Sequence, residues 1–224
     1  MFAQLIKGSV LSVGLVMMLA GCGDDNNEVQ LPVEYEVEIS NLTNFQPLSP
    51  VGLIFDDEDF FEIGSPASLA LEQLAEGGDN SALLDMGSAT ASSSDVILPG
   101  GTAVLTIRQG SPELKFSAFS MLVNTNDAFT GVSSYSLEDL NVGESVVINT
   151  NAYDAGTEAN SESAGTIPGP ADSGEGFNAL RDDSDSVRMH MGVVSKDDGL
   201  TTSVLSAEAK FDNPVMRLRI RRIK

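Results

Sequence analysis

Tryptophan is absent from the 224 residues, and there is a single cysteine, Cys22, and a single histidine, His190. One thiol makes no intrachain disulfide, and one imidazole makes no His-rich zinc site. Aromatic residues amount to 6%, too few to floor a sugar-stacking cleft, so paired-carboxylate glycoside hydrolysis lacks its usual platform. Positive charge is scarce as well. Twelve Lys and Arg face 33 Asp and Glu, a formal net charge of −21. A field of that sign repels phosphate backbones, which excludes nucleic acid as a partner. It also opposes adsorption to anionic lipid, so membrane attachment has to be covalent or hydrophobic. No Gly-x-Ser-x-Gly elbow occurs, which leaves a Ser–His–Asp triad through His190 without a frame. No repeat of solenoid length is present.

What is there suffices for one domain. Hydrophobic residues make up 42% of the chain, too many for a disordered acidic protein and enough for a real core. Val33–Ile39 alternates apolar and acidic residues, the pattern of a strand with one wet face. Val51–Phe55 is a short apolar run and reads as a fully buried strand, followed by an acidic loop from Asp56 to Asp59. Ser65-Pro66 opens a helix, with Ser65 as cap and Pro66 at the first position, and Gly77-Gly78 stops it. Asp79-Asn80-Ser81 caps a second short helix through Met86. Ala89–Asp95 reads as a Ser-rich loop. Strands are expected at 102–107, 115–122, 146–150, 187–194 and 214–223. Residues 155–176, rich in Gly, Ser, Pro and acid, form a long loop. Many short strands with one or two helices predict an antiparallel β-sandwich with short helical insertions.

Five of the 12 basic residues fall in the last eight positions, and Arg217, Arg219 and Arg221 share one face of the last strand. Glu34, Glu36 and Glu38 share one face of the first. The expectation is that these two strands are neighbours with opposite charges facing.

The N-terminus reads as an export signal. Lys7 supplies the charged region, and Gly8–Ala20 is an uncharged apolar run, short for a membrane span. It ends in Leu19-Ala20-Gly21-Cys22, which resembles the lipobox of bacterial lipoproteins. Residues 1–21 are then a signal peptide and Cys22 the lipidated residue. Residues 22–32 form a polar tether and 33–224 the domain. Lipid on Cys22 also leaves no thiol for a Cys–His pair. Gly23 after the cysteine points to the outer membrane of a Gram-negative cell.

Two segments carry acids at strand ends: Met121–Val132, with Asp127, and Ala152–Asn160, with Asp154 and Glu158 four apart around Gly156. Two acids on one turn and a third from a neighbouring loop form a hard oxygen cage of the kind calcium takes. The spacing equally allows solvated loop acids, with Asp127 as an Asx-turn residue. Asp182-Asp183-Ser184-Asp185 lacks the glycine and distal Glu of a calcium loop and reads as a solvated turn. His190 reads as a structural or exposed histidine.

Asn41-Leu42-Thr43, Gln46–Pro50, Gly64–Ser68, Leu74–Asn80 and the two acidic segments together resemble the spondin domain. This is the F-spondin N-terminal module of animal matrix proteins, which also occurs in bacterial lipoproteins. The resemblance spans about residues 33–222. It implies a sandwich similar to a C2 domain, with one calcium ion held by Asp127, Asp154 and Glu158. Two departures stand out: Glu158 where the animal domains carry Asp, and no possible disulfide. The expected function is a non-enzymatic binding or adhesion module at the cell surface, with a protein or glycan ligand. A purely structural envelope lipoprotein and, more distantly, a hydrolase using acidic loops are the alternatives.

Cys22→Ser should abolish incorporation of labelled fatty acid and release the protein from the membrane fraction. A wild type that takes up no label contradicts the assignment.

Overall fold

The computed structural model of the chain describes residues 32–56, 58–110 and 115–224. The signal segment, Cys22 and the tether through residue 31 lie outside the described residues. Among the described residues, no helix is long and apolar enough to cross a membrane.

The first sheet is built on β1 (Val33–Asn41). Tyr35, Val37 and Ile39 are buried and Glu36 and Glu38 exposed, as period two requires. On one side lies β4 (Thr102–Gln109), on the other β10 (Met216–Arg222), and then β7 (Ser145–Thr150). The first and last strands are neighbours as expected. They run antiparallel, with Glu36 opposite Arg221 and Glu38 opposite Arg219. These facing pairs do not close to within 4 Å. The tight ion pair is Arg108 Nη2 to Glu34 Oε1, 3.1 Å, contributed by β4. At this pole the outer ends of the first and last strands meet: Glu34 N–H donates to Lys224 O and Ile223 N–H to Glu34 O.

The second sheet runs β3 (Ala89–Ser92), β2 (Gly52–Asp56), β5 (Lys115–Met121), β6 (Ala128–Tyr135), β8 (Ala152–Asp154) and β9 (Arg188–Met189). The two sheets pack face to face. Val37, Ile39, Leu218 and Ile220 from one meet Leu53, Phe55, Phe116 and Ala118 from the other in a single core. Tyr35 packs on Phe55 and Phe55 on Phe116, with centroids 5.5 and 5.7 Å apart. The molecule is an antiparallel β-sandwich with short helical insertions.

The opposite face of the second sheet is also buried. Ile54, Phe119 and Phe129 are covered by Leu71, Leu74 and Ala75 of α1 (Leu69–Gly77) and Leu83 of α2 (Ser81–Leu84). This explains why every residue of β2 is buried. Gly78, in the left-handed region at φ 68°, ends α1.

Several boundaries differ from the sequence reading. Helix α1 starts at Leu69, not after Ser65-Pro66. The Ser65 hydroxyl is committed to Glu62 Oε2 at 2.8 Å, and Ser68 is the cap, accepting from Leu71 N–H. Residues 89–92 are a strand and not a loop, because the edge of β2 needs a partner. The strand expected over 187–194 is only Arg188–Met189, and Gly192 turns the chain at φ 88°. β6 and β8, without clear alternation, complete the sheet.

Gly131 lies against the neighbouring strand. A Cβ there would stand 2.3 Å from Ala118 O and 3.0 Å from Phe60. Gly131→Ala is expected to cost about 1–3 kcal/mol in denaturant titration. Arg219→Gln, on the exposed ladder, is expected to cost less than about 1 kcal/mol, with the difference shrinking in high salt.

Candidate metal centre

Asp127 immediately precedes β6 and Asp154 ends β8. The strands pair with Ala128 opposite Asp154, so both carboxylates leave the sheet at the same end. The residues ahead of Asp127 are fully engaged. Asn124 Oδ1 accepts from Ala171 N–H, and its amide donates to Phe45 O. Thr125 Oγ1 bridges Leu122 O and Ala128 N–H. The Asn126 amide donates to Thr166 O and Oγ1. These polar side chains replace backbone partners that loops lack.

Asp127 differs from them. Its carboxylate is fully buried. Oδ2 accepts from Thr157 N–H at 2.9 Å and Glu158 N–H at 3.2 Å, while Oδ1 has no hydrogen-bond partner. Burial, then the charge of Asp154, pushes this carboxyl up to about 7, against the pull of the two N–H groups. Glu158 is half-buried. Burial and the charges of Glu76, Asp127, Asp182 and Glu175 push it up to about 8. The turn holding these groups depends on Gly156, at φ 71°, where a Cβ would meet Ser186 O at 2.4 Å.

Asp154 is already compensated. Oδ1 accepts from Gly156 N–H at 2.8 Å. Oδ2 accepts from the Asn160 amide at 2.6 Å and from Arg188 Nε and Nη2 at 3.2 and 3.1 Å. Of the three acids singled out in the sequence, Asp127 and Glu158 thus form an uncompensated pair. Asp154 stands beside them with a guanidinium already on it.

Two acids that the sequence reading did not single out, Glu175 and Glu76, complete the region with Asp182, which it took as part of a solvated turn. Glu175, Asp182 and Glu158, together with Asn126 and Asn178, line a polar cavity of about 120 Å³. Glu76 comes from α1. Burial raises its carboxyl, opposed by Asn178 N–H and the Thr157 hydroxyl. A signal for Glu76 existed: Glu72 and Glu76 sit next to Leu71 and Ala75 on the helix's buried face.

The Asp182–Asp185 segment is more than a solvated turn. Asp182 Oδ1 accepts from Ala159 N–H at 2.8 Å, Asp183 pairs with Arg188, and Asp185 pairs with Arg181. His190 is buried, between exposed Met189 and Met191, which fits a structural role. Its Nδ1 accepts from Gly192 N–H at 2.9 Å, so the proton is on Nε2, which has no partner. Among the described residues, no serine or carboxylate hydrogen-bonds to its ring.

Among the described residues, no three His, Cys, Asp or Glu side chains stand close enough together, as placed, to hold a metal ion. The donor set nevertheless suits a hard cation. All donors are oxygens, Asp127 and Glu158 lack a counter-charge, and the buried Oδ1 of Asp127 is orphaned.

The folded chain holds protons on Asp127 and Glu158 up to about pH 7 and 8, whereas the unfolded chain releases them near 4. Their contribution is therefore fully present below about pH 4 and is lost as pH rises through 7 and 8. In chelator, the melting temperature is expected to fall between pH 5 and pH 8.5. Asp127→Asn should make that fall smaller. An equal fall in the variant contradicts the assignment.

No protein-family model matches the sequence, and no curated protein matches it.

Proposed function

We propose that this chain is an exported, lipid-anchored surface module of the Gram-negative cell envelope, with one calcium ion at its acidic pole. In this reading the module is not an enzyme. It binds a protein or glycan ligand, as the resemblance to spondin domains implies, and Cys22 anchors it.

The observation that carries the calcium part is the buried Oδ1 of Asp127, without a partner, beside a half-buried Glu158 whose neighbours are also acids. Burying an unpaired carboxylate costs several kcal/mol unless a counter-charge is supplied. Asp127 and Glu158 would hold the ion, with Asp154 as the third carboxylate. Bound calcium supplies the positive charge the cluster lacks. The chain's own contribution is to fix the Asp127 carboxylate through the Thr157 and Glu158 N–H groups and to orient Asp154 through Gly156 and Arg188. The resulting role is structural: the ion would tie the long 155–187 segment to the strand ends.

Calcium at 100 times its Kd should add about 2.7 kcal/mol of stability and so raise the melting temperature by about 5–10 °C. Asp127→Asn should abolish the rise. No rise in the wild type at millimolar calcium overturns the reading. Arrays of glycans and envelope proteins, probed with and without calcium, test the binding role.

A further inference from the structure

Helix α1 buries two carboxylates on its apolar face, Glu72 and Glu76, which are 3% and 1% exposed. They are four residues apart and point the same way. Glu72 is met by the fork of Arg181, with Nε to Oε1 at 3.0 Å and Nη2 to Oε2 at 2.7 Å. Glu76 has no such partner. Its Oε2 accepts from Asn178 N–H at 2.8 Å, and its Oε1 is buried without a hydrogen bond.

Neither nearby arginine is free to help. Arg181 is shared among Glu72, Asp185 and Ala67 O. Arg188 is shared among Asp154, Asp183 and Ser184. Among the described residues, Glu76 and Asp127 are therefore both buried acids with one orphaned oxygen. They also approach the same turn. Asp127 holds the N–H groups of Thr157 and Glu158, and Glu76 lies against the Thr157 hydroxyl and close to Glu158. Glu158, whose N–H Asp127 accepts, and Asn178, whose N–H Glu76 accepts, both line the polar cavity together with Glu175 and Asp182.

Resting on the calcium reading above, we infer that Glu76 is a further ligand of that cation, contributed by helix α1 and absent from the set Asp127, Asp154 and Glu158. Its orphaned Oε1 is the ligand atom. As placed, no three of these carboxylates stand within reach of one ion, so binding has to draw them together, and Glu158 is the most exposed of the four. The site then joins three separate parts of the chain: the helical layer, the start of β6 and the 155–160 turn. Arg181 neutralises one helix carboxylate from inside the protein, and the cation neutralises the other from outside.

The test uses calcium as the probe on the full chain, by calorimetry and hydrogen exchange. The wild type should bind calcium with added protection of the amides of 74–78. Glu76→Gln should weaken binding at least tenfold, and Glu76→Asp should recover part of the loss. Melting in chelator checks that both variants fold. Calcium binding in Glu76→Gln within twofold of wild type, or wild-type binding without protection at 74–78, overturns the inference and leaves the calcium reading intact. No calcium binding by the wild type removes the calcium reading, and the inference with it.

Discussion

The six-stranded sheet is buried on both faces, and apolar strands in that position need a second layer outside them. One face meets the first sheet through Leu53, Phe55 and Phe116; the other presents Ile54, Phe119 and Phe129. Helices α1 and α2 supply the cover, and much else follows from placing a helix there. A nine-residue helix with Leu71, Leu74 and Ala75 facing inward also turns Glu72 and Glu76 inward. Those acids need partners, and the long segment after β8 provides them: Arg181 for Glu72 and the Asn178 N–H for Glu76. The irregular stretch from 155 to 187 is thus held by what the helix buries.

Cations are rationed accordingly. With 12 basic side chains for 33 acidic ones, most acids must rely on water or on N–H donors. Where acids are buried at the loop end, Arg181 and Arg188 each bind two carboxylates. Asp154 and Glu72 are thereby satisfied. Asp127, Glu158 and Glu76 are not, and the residual charge gathers around one turn. In a low-dielectric setting this arrangement is unfavourable by itself.

The sandwich was legible because its evidence is periodic. The alternation in β1 and β10 and the unbroken apolar run of β2 each report burial directly. The pairing of β1 with β10 could be anticipated from opposite charges on their wet faces. The helix stop at Gly77-Gly78 was visible, whereas its start was not, because Ser65 and Ser68 are equally good caps and only the Ser65–Glu62 contact separates them. β3 lacks large side chains and is a strand only because β2 offers it an edge. At the acidic pole, the position of Asp127 and Asp154 at strand ends was readable from the sequence. The capture of Asp154 by Arg188 was not, since it depends on how the chain returns to the sheet 34 positions later. Glu76 was missed for a related reason: a carboxylate within an amphipathic stripe signals a partner only if its burial is noticed.

The register also fixes which way the molecule faces. β1 runs from Val33, beside Gln109, to Asn41, beside Met216. Met216 adjoins Thr150, whose hydroxyl meets that of Thr130 at 2.7 Å, and two residues before Thr130 begins the strand that follows Asp127. Glu34 and Lys224 thus sit at one pole of the sandwich and the acidic cluster at the other, about 30 Å away along a nine-residue strand. Anything fastened ahead of Val33 or behind Lys224, whether lipid, label or support, holds the molecule by the same end and presents the carboxylates to whatever lies beyond.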